Sequence, residues 1–76
     1  MKSTDELFDE IVSRNLETPD VRDDMTAADV PGWDSMNYLR CIAELEEAFS
    51  MSFAMDEVVD AKTIGEVRAI VHARGS

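Results

Sequence analysis

Apolar residues recur at helical spacing in separate stretches of this chain, and the rhythm breaks between them. Leu7, Phe8, Ile11 and Val12 share one face of a helix predicted from about Thr4 to Asn15. Ser3 and Glu6 have the spacing of a capping box at its start. From Leu16 to Trp33 the periodicity fails. That stretch holds Pro19, Pro31 and Gly32 and four aspartates, with Val21, Met25 and Val30 as apolar pins and a short turn predicted from Thr26 to Asp29. A long periodic segment follows from Ser35 to about Ser50, with Asp34 or Ser35 as its cap. A short one lies near Asp56 to Ala61. Thr63 and Glu66 form a second capping box, opening a last helix through about Ala73, with Gly75 as its stop. No strand alternation and no internal repeat is visible. The pattern predicts an all-α, four-helix bundle of three main helices and one short one, within a single domain over residues 1–76.

The long middle helix carries two apolar stripes. At roughly 100° per residue, Tyr38, Cys41, Ile42, Leu45 and Phe49 gather on one side. Met36, Leu39 and Ala43 gather on another, flanked by Glu46 and Glu47 with Arg40 beside them. The first stripe can seal a small core. A second apolar strip rimmed by charge is what a docking surface needs. The alternative is that the loop before the helix covers it. If the strip docks a partner, it presents Ser35 to that partner.

Charge and composition narrow the function. The chain has 17 acids against 7 Lys and Arg, a net charge of −10, so basic partners are favoured and phosphate backbones of nucleic acids are not. No apolar run approaches the ~18 residues of a membrane span. The first residues, Met1 to Glu6, lack the apolar core of a signal peptide, and the single Cys41 forms no intrachain disulfide. A cytoplasmic monomer is the expectation. Cys41, on the core stripe, reads as a small buried hydrophobe. Catalytic parts are absent: no serine elbow with its histidine, no glycine-rich phosphate loop and no Cys/His metal cluster. The acidic run from Asp20 is not an EF-hand, because the loop glycine is missing and its twelfth position is Pro31. No enzyme and no metal site is expected. An acidic helical adaptor without a prosthetic group is one reading of what remains.

The other reading comes from a resemblance. Gly32-Trp33-Asp34-Ser35-Met36, followed by Leu39, Ile42, Leu45-Glu46-Glu47 and Phe49, resembles the core signature of acyl carrier proteins. Asp60-Ala61-Lys62-Thr63-Ile64-Gly65-Glu66-Val67 resembles their entry into the last helix. The resemblance implies that Ser35 bears a covalent 4′-phosphopantetheine arm, installed from coenzyme A by a separate Mg²⁺-dependent phosphopantetheinyl transferase. It implies that Asp34 assists that transferase and its metal. Tyr38, Cys41, Ile42, Leu45, Phe49, Phe53 and Ile64 would line or support an acyl pocket. Met36, Leu39, Arg40, Ala43, Glu46 and Glu47 would meet partners: an acyl- or aminoacyl-loading ligase and a downstream synthase or acyltransferase with a basic patch. The chain departs from the family pattern at Met36, where Leu is commonest, at Asn37 and Arg40, where acids are usual, and at Tyr38, where a smaller residue is usual. These departures point to a specialised lipid or polyketide-type pathway. Aminoacyl, D-alanyl and peptidyl carriers are the alternatives within the family.

Overall fold

The computed structural model describes residues 2–75, so of the N-terminal segment read above Met1 lies outside the described residues. Four helices follow in order: α1 (Thr4–Leu16), α2 (Ser35–Phe49), α3 (Met55–Asp60) and α4 (Ile64–Gly75). Among the described residues no strand forms, and Thr26 and Thr63 make one isolated antiparallel bridge. The all-α bundle expected from the periodicity is the fold observed.

The ends of the helices follow from local chemistry. Glu6 N donates to Ser3 Oγ at 3.1 Å and Ser3 N donates to Glu6 Oε1 at 3.2 Å, completing the capping box of α1. The α4 box forms in the same way, with Glu66 N to Thr63 Oγ1 at 3.1 Å and Thr63 N to Glu66 Oε2 at 2.8 Å. Helices α1 and α2 both end in the left-handed conformation on residues that are not glycine, Glu17 (φ 54°) and Ser50 (φ 52°). Helix α4 continues through Gly75 rather than stopping ahead of it. A glycine permits a reversal but does not compel one.

All four helices and the long loop share one core. Phe8, Ile11, Val12 and Leu16 from α1 are buried against Cys41, Ile42 and Leu45 from α2. Val58 closes one side from α3, and Ile64, Val67 and Val71 close another from α4. Each such side chain gives roughly 1.5–3 kcal/mol when fully buried, so the α1 and α2 faces supply much of the drive to fold. Met25 and Val30 are buried pins of the loop, and Val21 is half-buried. The loop is also tied to the start of α4: Ile64 N donates to Met25 O at 3.0 Å and Gly65 N to Asp23 O at 2.9 Å.

Polar groups inside the fold are paired. Asn15, 6% exposed, donates from Nδ2 to Ile11 O and to Glu44 Oε1, both at 2.9 Å. Glu44 also pairs with Arg14, tying α1 to α2 twice. Arg68 of α4 reaches Asp5 (3.0 Å) and Asp9 (2.6 Å) on α1 and Asp23 (2.8 Å) in the loop, and its guanidinium carbon lies 4.6 Å from the centroid of Phe8. The sequence pattern assigns Asp5 and Asp9 to a solvated face. Asp5 is exposed and Asp9 half-exposed on that face, and both also anchor α4 through Arg68.

Candidate functional site

The start of α2 is built by the turn before it. A Cβ on Gly32 would lie 2.0 Å from the Leu16 carbonyl oxygen, so only glycine lets the chain pass the end of α1 this closely. Gly32 O then accepts from Asn37 Nδ2 at 2.9 Å and from Asp34 N at 3.1 Å. Asp34 is the N-cap: its Oδ1 accepts from Asn37 N at 2.8 Å. That settles the choice of cap between Asp34 and Ser35. Asn37, which replaces a usual acid, thus ties the turn to the helix from both its backbone and its side chain.

Ser35 is the first residue of α2, and it is exposed. A helix start has backbone N–H groups without carbonyl partners and the positive end of the dipole, both of which favour an anion. Ser35 also lines an apolar cleft of about 550 Å³. The cleft walls come from α2 (Tyr38, Leu39), from α3 (Met55, Val59), from Trp33 and Ala27 of the loop, and from Ala61 and Lys62 between α3 and α4. A smaller hollow of about 220 Å³ shares Ala27, Trp33, Ser35 and Tyr38 and adds Asp34. Lys62 is the cation of the larger cleft, in a chain of net charge −10.

Of the residues expected at an acyl pocket, Tyr38 alone borders this cleft. Cys41, Ile42, Leu45 and Ile64 are buried in the shared core, and Phe49 and Phe53 are half-buried against it. Helical periodicity identifies a core-facing stripe and cannot distinguish packed core from the wall of a cleft. Tyr38 Oη donates to Val58 O at 2.5 Å, and its ring centroid lies 5.5 Å from that of Trp33. Burial first, then the nearby Cys41 and Glu66, push the Tyr38 hydroxyl up to about 12, so it stays a donor. Burial pushes the Cys41 thiol up to about 12 as well, which leaves it an unreactive thiol.

The second stripe of α2 faces water. Met36 is 70% exposed and Leu39 50%, and Arg40, Ala43 and Glu47 are exposed too. The loop does not cover them. Glu46 differs from its neighbours: its Oε2 accepts from Phe53 N at 2.8 Å and holds the connection to α3. Arg40 lies at 3.4 Å from the Asn37 side-chain oxygen.

Trp33, Met55, Val59 and Lys62 line the cleft, and the hydrophobic pattern did not single them out. Met55 and Val59 sit on a helix of six residues, too short for a periodicity to show which side is apolar. Their sign is their exposure, 61% and 60%.

Among the described residues, no group of three or more His, Cys, Asp or Glu is placed to hold a metal ion, and no helix is long and apolar enough to cross a membrane.

Comparison with known proteins bears on this site. No curated protein matches the chain. A solved structure of a protein described as an acyl carrier protein of Mycobacterium tuberculosis matches it with a TM-score of 0.84 and 25% identity. The match covers 93% of this chain and 97% of that one. Residues 6–71 match the family described as the phosphopantetheine attachment site. That span includes the capped turn, the exposed Ser35 and the cleft. The residues fit the group: a surface hydroxyl at a helix start, an apolar cleft beside it and a cation in that cleft. The cofactor-free adaptor reading is thereby set aside. The chain belongs to the phosphopantetheine attachment site family, and its cofactor is covalently held 4′-phosphopantetheine.

Proposed function

We propose that the chain is an acyl carrier protein whose attachment residue is Ser35. The observation that carries this is the position of the Ser35 hydroxyl, exposed at the first residue of α2 and on the lip of an apolar cleft. Ser35 Oγ forms a bond to the phosphorus of coenzyme A nearest the pantetheine. The pyrophosphate P–O bond breaks, adenosine 3′,5′-bisphosphate leaves, and the serine proton passes to a base of the transferase. Once attached, the arm supplies a terminal thiol that holds an acyl group as a thioester. The chain's own contribution is placement. The helix start stabilises the phosphodiester anion, Asp34 stands beside Ser35 for the transferase and its metal, and Lys62 adds a cation near the cleft.

Met36, Leu39, Ala43, Glu46 and Glu47 form the partner surface in this reading, with Arg40 reversing the charge at one contact. A phosphopantetheinyl transferase, a loading ligase and a downstream synthase or acyltransferase with a basic patch are the partners. Arg40 and Tyr38 favour a specialised lipid or polyketide-type pathway over general fatty acid synthesis. Self-repulsion at a net charge of −10 supports a monomer, and the reading includes action in the cytoplasm. The test is intact mass after incubation with coenzyme A, Mg²⁺ and a broad-specificity phosphopantetheinyl transferase. The parent gains one phosphopantetheinyl group and Ser35→Ala gains none. A gain by Ser35→Ala overturns the assignment.

A further inference from the structure

Tyr38, Trp33 and Ala61 line the cleft at Ser35 and also pack against the core, and of these Tyr38 is the one that bridges two helices. Tyr38 spans from α2 to α3 and donates its hydroxyl to Val58 O at 2.5 Å. Its ring also leans on Trp33, 5.5 Å between centroids. One and two turns further along the same face of α2 are Cys41 and Leu45, 1% and 0% exposed, and Val58 itself is 2% exposed. An apolar chain entering the core between α2 and α3 has to break the Tyr38 hydrogen bond and move the ring. It also has to open side chains packed against one another, which costs contacts on every wall.

The cleft outside that bar is already formed. Leu39, Met55 and Val59 are half or more exposed there, an unusual concentration of large apolar side chains in water for so acidic a chain. Its volume of about 550 Å³ lies within the range of sites that enclose small ligands. Ser35 and Lys62 lie among its lining residues, so whatever is tethered to Ser35 starts inside it. We infer that this cleft binds the acyl end of the arm on Ser35, and that Tyr38 selects compact apolar acyl groups by barring the core to long chains. This rests on Ser35 being the attachment residue. Trp33 and Tyr38 offer the cargo an aromatic wall, and Met55 and Val59 the opposing aliphatic one. A long chain overruns the cleft and stays in water.

The test loads the protein from benzoyl-coenzyme A and, separately, from hexadecanoyl-coenzyme A with a broad-specificity transferase. Intact mass confirms the loading, and NMR then follows side chains against the unacylated arm. With benzoyl cargo, the Trp33 indole N–H and the Met55 and Val59 methyl resonances shift, while those of Leu45 and Ile64 stay. With hexadecanoyl cargo, Leu45 and Ile64 stay in the parent and shift in Tyr38→Ala, whose Tm rises on loading. Tyr38→Leu, nearer to the parent in volume, shows the same shifts and serves if Tyr38→Ala fails to fold. Hexadecanoyl-dependent shifts of Leu45 and Ile64 in the parent overturn the inference. So does benzoyl cargo that leaves Trp33, Met55 and Val59 unmoved. Absence of any mass gain instead overturns the Ser35 reading, and the inference with it.

Discussion

Ser35 owes its exposure to its neighbours. Gly32 allows the chain to graze the end of α1, and Asp34 starts α2 so that the next residue is its first. Gly32→Ala forces a Cβ against the Leu16 carbonyl, and overpacking of this kind costs about 1–3 kcal/mol. A fall in the urea midpoint checks it, and an unchanged midpoint contradicts the packing argument. Arg68 is the second residue on which much depends. Its planar fork reaches three carboxylates in three directions while its face covers Phe8. Burial alone would lower its pKa, but hydrogen bonds to Asp9, Asp23 and Asp5 outweigh that and hold it above the ordinary arginine value. Arg68→Lys keeps the charge and loses the fork. Its Tm falls further than that of Arg22→Lys, an exposed control. The Asp34–Ser35 pair and its place at the start of a helix were legible in the sequence. Arg68 was not, because its partners lie 45 to 63 positions away and no local period connects them.

Helix α2 has two apolar stripes because it serves two surfaces. The stripe through Cys41, Ile42 and Leu45 is sealed in the core, and Met36 and Leu39 remain in water. The two stripes follow from a 100° step per residue and were legible in the sequence, whereas the choice between an open second stripe and one covered by the loop was not. The cleft was not readable in the same way. It is assembled from a tryptophan in a loop, one turn of α2 and a six-residue helix, and only the folded chain brings them together. The ends of the helices were half legible. Capping boxes announced where α1 and α4 begin, whereas no glycine marked where α1 and α2 end. Ser50 instead adopts the left-handed conformation at a cost of roughly 1 kcal/mol. Ser50→Gly removes that strain and raises thermal stability. A lower Tm contradicts the strain assigned to Ser50.

The molecule as a whole is compact and strongly acidic, with a radius of gyration of 11.1 Å and a net charge of −10. Ten excess charges on so small a body repel one another, so added salt raises Tm. Equal Tm values at low and high salt contradict this. Acidity acts in two opposed ways. Protonating carboxylates relieves repulsion, yet some are held in their charged form by the fold. Hydrogen bonds from His72 and then Arg68 keep Asp5 below its ordinary 3.8, and the Lys62 and Thr63 backbone N–H groups keep Glu66 below its ordinary 4.5. The stabilisation from such lowered groups is present above their ordinary values and lost as pH falls through the lowered ones. Cys41 behaves in the opposite sense. Its folded value of about 12 against 9.0 means that stability is full below pH 9 and declines as pH rises toward 12. Urea midpoints across pH follow both limbs, and Cys41→Ala makes the alkaline one shallower, leaving the part from Tyr38, raised from 10.0 to about 12. An alkaline limb identical in Cys41→Ala contradicts that source. The motif from Gly32 to Phe49, joined to length, charge and helix order, carried the family resemblance, and the match over residues 6–71 shows the family. The central claim is narrower: the arm sits on Ser35. Proteolysis of the phosphopantetheinylated chain, followed by tandem mass spectrometry of its peptides, tests it most directly. The account predicts the added mass on Ser35, and finding it on Ser13, Ser50 or Ser52 would contradict it.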